Sequence, residues 1–296
     1  MHTDALAVLQ KAGGYATTAQ LATVMTRQQL DVQVKIGGLV RVWHGVYAAQ
    51  HPDLLGRLSA LDVFMKQHAV ACMGTAAALH GFDTESTTAI HVLDPGVRVR
   101  PTVGLMVHQR TGARLQRVSG RLATAPAWTA VEVARQLGRA RALATLDAAL
   151  RSMRCTRNEI ETAVAEQRGR RGIVAVRELL PLADGRAESA MESEARLVMI
   201  DHGLPPPELQ YEIHGRDGEL WRVDFAWPEF RVAAEYESID WHVGREAMLY
   251  DKTRLGKIQE LGWLIIPIVV HDVRRGPDRL AQRIASHLAS RRKIAF

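Results

Sequence analysis

The stretch VDFAWPEFRVAAEYES, residues 223–238, constrains this chain more than any other. It reads as two short apolar strands joined by a turn at Pro228, and it places carboxylates inside them. Asp224 sits in the first strand, and Glu235 follows Val232-Ala233-Ala234 in the second. Burying an unpaired carboxylate is costly, so the fold must deliver a partner to Glu235. A metal ion would serve, and so would a buried arginine. The first answer belongs to an enzyme and the second to a scaffold.

The surrounding pattern supplies candidates for both. Residues 188–202 read as a helix stopped by Gly203 and by the prolines at 205–207. LWRVDFAW and RVAAEYES are strands, REAMLYDKTRLGKIQELG a helix ending at Gly262, WLIIPIVV an apolar strand, and PDRLAQRIASHLAS a last helix. Residues 186–296 therefore predict a mixed sheet flanked by helices. Glu235 and Glu237 are two apart and share a strand face. Glu192, on the preceding helix, can approach the same face. Convergent oxygen donors suit Mg²⁺ or Mn²⁺, with Asp224, Glu235 and Glu237 as the metal ligands. Such an ion would activate water and stabilise the leaving oxygen in phosphodiester hydrolysis. His242 follows closely as a candidate general base or acid. The structural alternative stays open: Glu192 and Arg196 could form an i,i+4 pair, and Arg254 could satisfy Glu235 without a metal.

The first fifty residues carry a different pattern. DALAVLQKAGG predicts a helix closed by glycine. TTAQL and TRQQL each fit a capping box, Thr17 with Gln20 and Thr26 with Gln29. Leu30 and Val34 lie one turn apart and should face inward, leaving Arg27, Gln28, Asp31 and Lys35 exposed. LVRVWHGVYAA alternates around His44-Gly45, a two-residue hairpin signal. Short helices followed by a hairpin are the order of a winged helix, whose third helix enters the major groove. Glutamine can bond an adenine edge and arginine a guanine edge, while Arg41 and His44 on the wing could reach phosphates. A plain solvated helix face is the competing reading.

GGYATTAQLATVMTRQQLDVQVKIGGLVRVWHGVYAA resembles the N-terminal domain of AbiEi-family antitoxins, winged-helix repressors of their own toxin–antitoxin operon. The resemblance implies binding to inverted promoter repeats, hence a homodimer, and a cognate toxin operon. The ordered pieces AAALHG, IHV, GLMVHQ, TAPAWTAVEVAR and ALATLDAALR resemble the region that follows the winged helix in AbiEi-like proteins. The run MESEARL, GLPPPELQ, WRVDFAWPEFRVAAEYES, WH and YDKTRLGKIQELGW resembles the very-short-patch-repair-like group of PD-(D/E)XK nucleases. That resemblance implies catalytic roles for Glu192, Asp224, Glu235, His242 and Arg254, with Asp251 beside Arg254. The family's usual EYDG is here EYES, so Glu237-Ser238 stands in place of Asp-Gly, which places catalysis in question.

The expected architecture is a multidomain α/β (α+β) chain. Residues 1–50 would form the winged helix, 51–180 a mixed α/β middle region, and 186–296 a restriction-endonuclease-like domain, with PLADGRAESA (181–190) as the linker. At 296 residues several domains are expected. A net charge of +6 is compatible with a polyanionic partner such as duplex DNA. Cys72 and Cys155 are far apart and have no metal-ligand spacing, which predicts a reduced, cytoplasmic protein. No apolar run is long enough to span a bilayer, so no membrane partner is expected. His80, His91 and His108 have no compact ligand spacing and are expected to be hydrogen-bonded in the core. Arg135, Arg139 and Arg141 fit either an exposed helix face or a phosphate track. The leading functional reading is a DNA-binding protein with a metal-dependent endonuclease domain. The alternative is an antitoxin-like transcriptional repressor whose nuclease fold does not cleave.

Overall fold

The computed structural model describes residues 3–82, 84–85, 88–96, 102–109, 111–238 and 245–292. The chain is mixed α/β and divides into two compact units, 1–132 and 133–296.

The first unit begins with α1 (Thr3–Lys11), β1 (Ala16–Thr17), α2 (Thr18–Leu21), α3 (Arg27–Lys35), β2 (Val40–Trp43) and β3 (Val46–Ala48). Both expected capping boxes form: Thr17 accepts from the Gln20 amide and Thr26 from the Gln29 amide, with each glutamine side chain reaching back. The strands make a three-stranded antiparallel sheet in the order β1-β3-β2. Gly45, at φ +72°, supplies the left-handed residue that the two-residue turn needs. Leu9, Leu21, Leu30, Leu39 and Tyr47 form the core, and Val34 packs against it. This is the winged-helix arrangement expected from the pattern.

The unit continues through α4 (Leu54–Met65), α5 (Met73–His80), β4 (Ile90–Leu93), β5 (Leu105–His108), β6 (Leu115–Val118), β7 (Arg121–Thr124) and α6 (Pro126–Ala134). β4 and β5 pair in parallel, and β6 and β7 form a hairpin. Ala71 bridges to Val92 and to Ala123, which joins the two pairs. Trp43, Leu58, Leu61, Ile90 and Val92 share one cluster, and the Trp43 indole N–H donates to the Arg57 carbonyl at 2.9 Å.

The second unit contains α7 (Arg139–Arg151), α8 (Arg157–Glu166), α9 (Ile173–Leu179), α10 (Ala190–Asp201), β8 (Glu208–His214), β9 (Leu220–Trp227), β10 (Val232–Tyr236), α11 (Arg245–Glu260), β11 (Leu264–Ile268), α12 (Val270–Arg275) and α13 (Pro277–Arg292). The sheet order is β11-β10-β9-β8, with β10 and β11 parallel and the other pairs antiparallel. Alternation along β10 sends Val232 and Ala234 to a core shared with Met199 of α10 and Ile284 of α13. Ala233 goes to the opposite face, against Ile258 of α11. The sheet thus lies between α10 and α13 on one side and α11 on the other.

Segment 181–190 does not behave as the expected linker. Ala183 and Ala187 are buried. Arg157 donates to the Leu180 and Ala183 carbonyls, Arg151 to the Ala187 carbonyl, and the Asp184 N–H to Asp147. Arg196 reaches the Leu182 carbonyl at 2.6 Å and Asp147 at 2.7 Å, the latter a pair with side chains 8% and 0% exposed. Arg196 is therefore committed to Asp147, and the expected Glu192–Arg196 pair is not formed. The glycine and small residues that suggested a linker instead allow close packing: a Cβ on Gly185 would come within 2.9 Å of the Arg151 backbone nitrogen.

Candidate functional site

Two separate groups of side chains were candidates from the sequence. On α3, the inward phase is taken by Leu30, 3% exposed. The 3.6-residue period therefore turns Arg27, Gln28, Asp31 and Lys35 outward, and all four are exposed. Arg41 and His44 of the β2–β3 hairpin are exposed as well. The Arg41 guanidinium lies 5.7 Å over the Tyr47 ring, which orients it without neutralising it. Two exposed apolar residues were not anticipated: Val32 of α3 at 48% and Ile36, the residue that caps its C-terminus, at 66% exposure. They are four apart and out of phase with Leu30, which was the available signal. Apolar contacts of this type suit the methyl group of thymine.

The acidic group lies where β9, β10 and α10 meet. Ser189 caps α10 and accepts from the Glu192 N–H at 3.1 Å, which holds Glu192 in the first turn. The Glu192 carboxylate is buried and accepts from the Glu188 N–H at 2.8 Å and the Gln210 amide at 2.9 Å. Asp224 accepts from the Tyr236 N–H at 2.8 Å. Burial pushes the Asp224 carboxyl up to about 6; the neighbouring Glu192 and Glu235 charges add to the rise, while the Tyr236 and Gln210 hydrogen bonds oppose it. Glu237 is also raised, by burial and then by Asp251 and Glu235. Asp224 thus feels the charges of Glu192 and Glu235, and Glu237 those of Asp251 and Glu235.

The question raised by Glu235 has a direct answer. Arg254 of α11 forms a two-pronged ion pair with its carboxylate, Nη1 to Oε2 at 3.1 Å and Nη2 to Oε1. The side chains are 15% and 16% exposed. The Glu235 hydrogen bond raises the Arg254 pKa. Arg254 also donates to the Arg222 carbonyl at 3.2 Å and lies 3.6 Å from Asp251. The donor oxygens are of the kind that Mg²⁺ takes, but Glu192 and Asp224 each have an oxygen engaged by a protein donor, and both Glu235 oxygens face the guanidinium. Among the described residues no group of three or more His, Cys, Asp or Glu side chains is arranged to hold a metal ion. The expected ligand set of Asp224, Glu235 and Glu237 does not fit a cation in this arrangement. His242 lies outside the described residues.

Gln210 was not anticipated, although it bonds both Glu192 and Asp224. Its backbone has φ +52°, an unusual conformation for a non-glycine residue within a strand. No local sequence signal marks it.

The remaining candidates have structural roles. His80 hydrogen-bonds the Thr124 carbonyl at 2.9 Å, and His91 stacks on His108 with Nδ1 and Nε2 2.9 Å apart. Arg139 pairs with Asp201 and Arg141 with Glu194, at 2.8 and 2.9 Å, and Arg135 donates to the Arg171 carbonyl. Burial alone would raise Glu194, but hydrogen bonds from Arg274 and Arg141 hold it below the usual carboxylate range. These arginines are engaged by acceptors within the second unit.

Residues 69–182 match the model of the AbiEi antitoxin C-terminal domain, from the segment before α5 through the 3₁₀ turn Leu180–Leu182. The matched residues lie outside 188–285, and the nuclease resemblance of that region draws no support from them. Two Mycobacterium tuberculosis proteins are 83% identical over 264 residues, covering 89% of this chain and 97% of each relative. They carry the names Uncharacterized protein MT2308 (strain CDC 1551 / Oshkosh) and Uncharacterized protein Rv2248 (strain ATCC 25618 / H37Rv). The chain belongs to the same family as these mycobacterial proteins. No helix among the described residues is long and apolar enough to cross a membrane.

Proposed function

We propose that this chain is an antitoxin-like, DNA-binding transcriptional repressor, acting on the operon that encodes it together with a toxin. The exposed polar face of α3, flanked by Arg41 and His44, carries this reading. Helix α3 enters the major groove, Gln28 and Arg27 contact base edges, and Lys35, Arg41 and His44 contact phosphates. A homodimer reads the two halves of an inverted repeat. The AbiEi antitoxin match supports the toxin–antitoxin context. Fluorescence anisotropy with the promoter DNA upstream of its own gene tests the reading. Gln28→Ala is expected to change site preference, and Arg41→Ala to weaken all sites alike and flatten the salt dependence. Equal affinity of the intact protein for promoter and scrambled DNA would refute repression by sequence reading.

A second reading is favoured by one observation, the shared field of Glu192, Glu235 and Asp224. In it the 186–296 region is a Mg²⁺- or Mn²⁺-dependent endonuclease, and Arg254 must release Glu235 before a cation is held. Supercoiled plasmid incubated with Mg²⁺ or Mn²⁺ decides the matter. Nicking that disappears in Asp224→Ala supports the enzyme, and equal inactivity of both proteins leaves the repressor alone.

A further inference from the structure

Helices α8 and α9 and the 3₁₀ turn Leu180–Leu182 enclose an open cavity of about 850 Å³ that shares no residue with α3 or with the acidic group. Val164 and Leu180, each 5% exposed, give it an apolar floor. Arg157, Arg168 and Arg177 line it against a single carboxylate, Glu161. Arg157 is held in place by the Leu180 and Ala183 carbonyls, which are neutral acceptors and leave its charge uncancelled. Arg168 and Arg177 are exposed, and among the described residues their guanidinium groups have no hydrogen-bond or ion-pair partner.

This combination differs from a solvated helix face, because an apolar floor and an excess of fixed positive charge occur in one concavity. Small-molecule sites are mostly apolar clefts of roughly 300–1,000 Å³ with a few placed polar groups. Guanidinium remains charged at any working pH, and its planar fork matches carboxylate, sulfonate and phosphate oxygens. A neutral apolar ligand would leave the arginines unused, and a bare inorganic anion would leave the floor unused.

We propose that this cavity binds a small organic anion. Its acidic headgroup is held by Arg168 and Arg177, and its apolar body rests on Val164 and Leu180. This site is separate from the DNA-contacting face, so its test does not depend on repression.

The experiment titrates the full chain with 8-anilinonaphthalene-1-sulfonate, following fluorescence, and with the uncharged N-phenyl-1-naphthylamine as control. The expected result is saturable binding of the sulfonate that weakens at least tenfold in Arg168→Ala/Arg177→Ala. The neutral analogue should bind far more weakly to the unmodified chain. Sulfonate affinity unchanged in the double variant would overturn the proposal, as would equal binding of the two dyes. Ala165→Trp, at an exposed lining position, adds bulk beside the apolar floor without changing the charge and should also weaken sulfonate binding. Undiminished binding there would overturn the proposal even if the double variant failed to fold. Inorganic phosphate, a fatty carboxylate and poly-L-glutamate serve as competitors. Displacement by phosphate as strong as by a fatty carboxylate would remove the role of the apolar floor, and preferential displacement by poly-L-glutamate would reassign the cavity to an acidic chain.

Discussion

Helix α3 and the ion pairs of the second unit use the same side chains in opposite ways. On α3, Arg27, Asp31 and Lys35 are exposed and make no ion pair among the described residues. In the second unit, Arg196 with Asp147, Arg141 with Glu194, and Arg254 with Glu235 are paired and largely withdrawn from water, and the half-exposed Arg274 also pairs with Glu194. A charge already satisfied at home must break that contact before it can serve a ligand, whereas a charge held open on a rigid helix need not. The contrast explains why a nucleic-acid reading draws on the first set and why the acidic group alone carries no assignment.

Stability measurements should rank the two sets clearly. Arg196→Ala strands the fully buried Asp147 and is expected to cost about 3–5 kcal/mol in urea unfolding. A loss near zero would break the comparison at its strongest point. Asp224 comes next, with pH as the variable. Its carboxyl is raised from 3.8 to about 6 in the fold. Between those values the folded chain binds more protons than the unfolded one, so stability falls as pH rises through that window and levels off above about 6. The full shift corresponds to at most about 3 kcal/mol. Asp224→Asn should reduce this slope and raise stability at neutral pH, read from midpoints between pH 4 and 8; an unchanged slope would assign it to the other raised carboxyls, Glu237 and Asp147.

Smaller effects belong to the first unit. Thr26→Ala removes the α3 cap and should cost about 1 kcal/mol. Arg27→Ala or Lys35→Ala should change stability by less than about 0.5 kcal/mol. In Lys35→Ala the lost phosphate contact should reduce the slope of log affinity against log salt by about 0.9, while Arg27→Ala should alter site preference. Variants of α3 that strongly destabilise the fold but leave the DNA affinity of the folded protein intact would reverse the comparison.

Local features were the readable ones. The capping boxes at Thr17 and Thr26, the Gly45 turn and the outward phase of Arg27 and Lys35 depend on neighbours within one turn. The strands that carry Asp224 and Glu235 were also readable, from short apolar runs on either side of the Pro228 turn. The choice between metal and arginine at Glu235 was not readable, since it depends on how α11 lies across β10. Arg139 and Arg141 were ambiguous for the same reason: their partners Asp201 and Glu194 are 62 and 53 positions away. The hairpin β6–β7 was missed although Ser119-Gly120 is a turn signal, because LQRV does not alternate cleanly. Helix α12 is a short helix between a strand and a helix already read, and its six residues give too little periodicity to register.

The contacts made by Asp147 and by residues 180–187 have a practical corollary for dissecting the protein. A fragment starting at residue 186 would lose Asp147 and the Leu182 carbonyl, leaving the Arg196 guanidinium without either acceptor in an otherwise apolar wall. Such a piece is expected to aggregate on expression, whereas one starting at 133 keeps both acceptors. In the intact chain, trypsin should spare the bond after Arg186 less because of sequence than because of how tightly the flanking alanines are held.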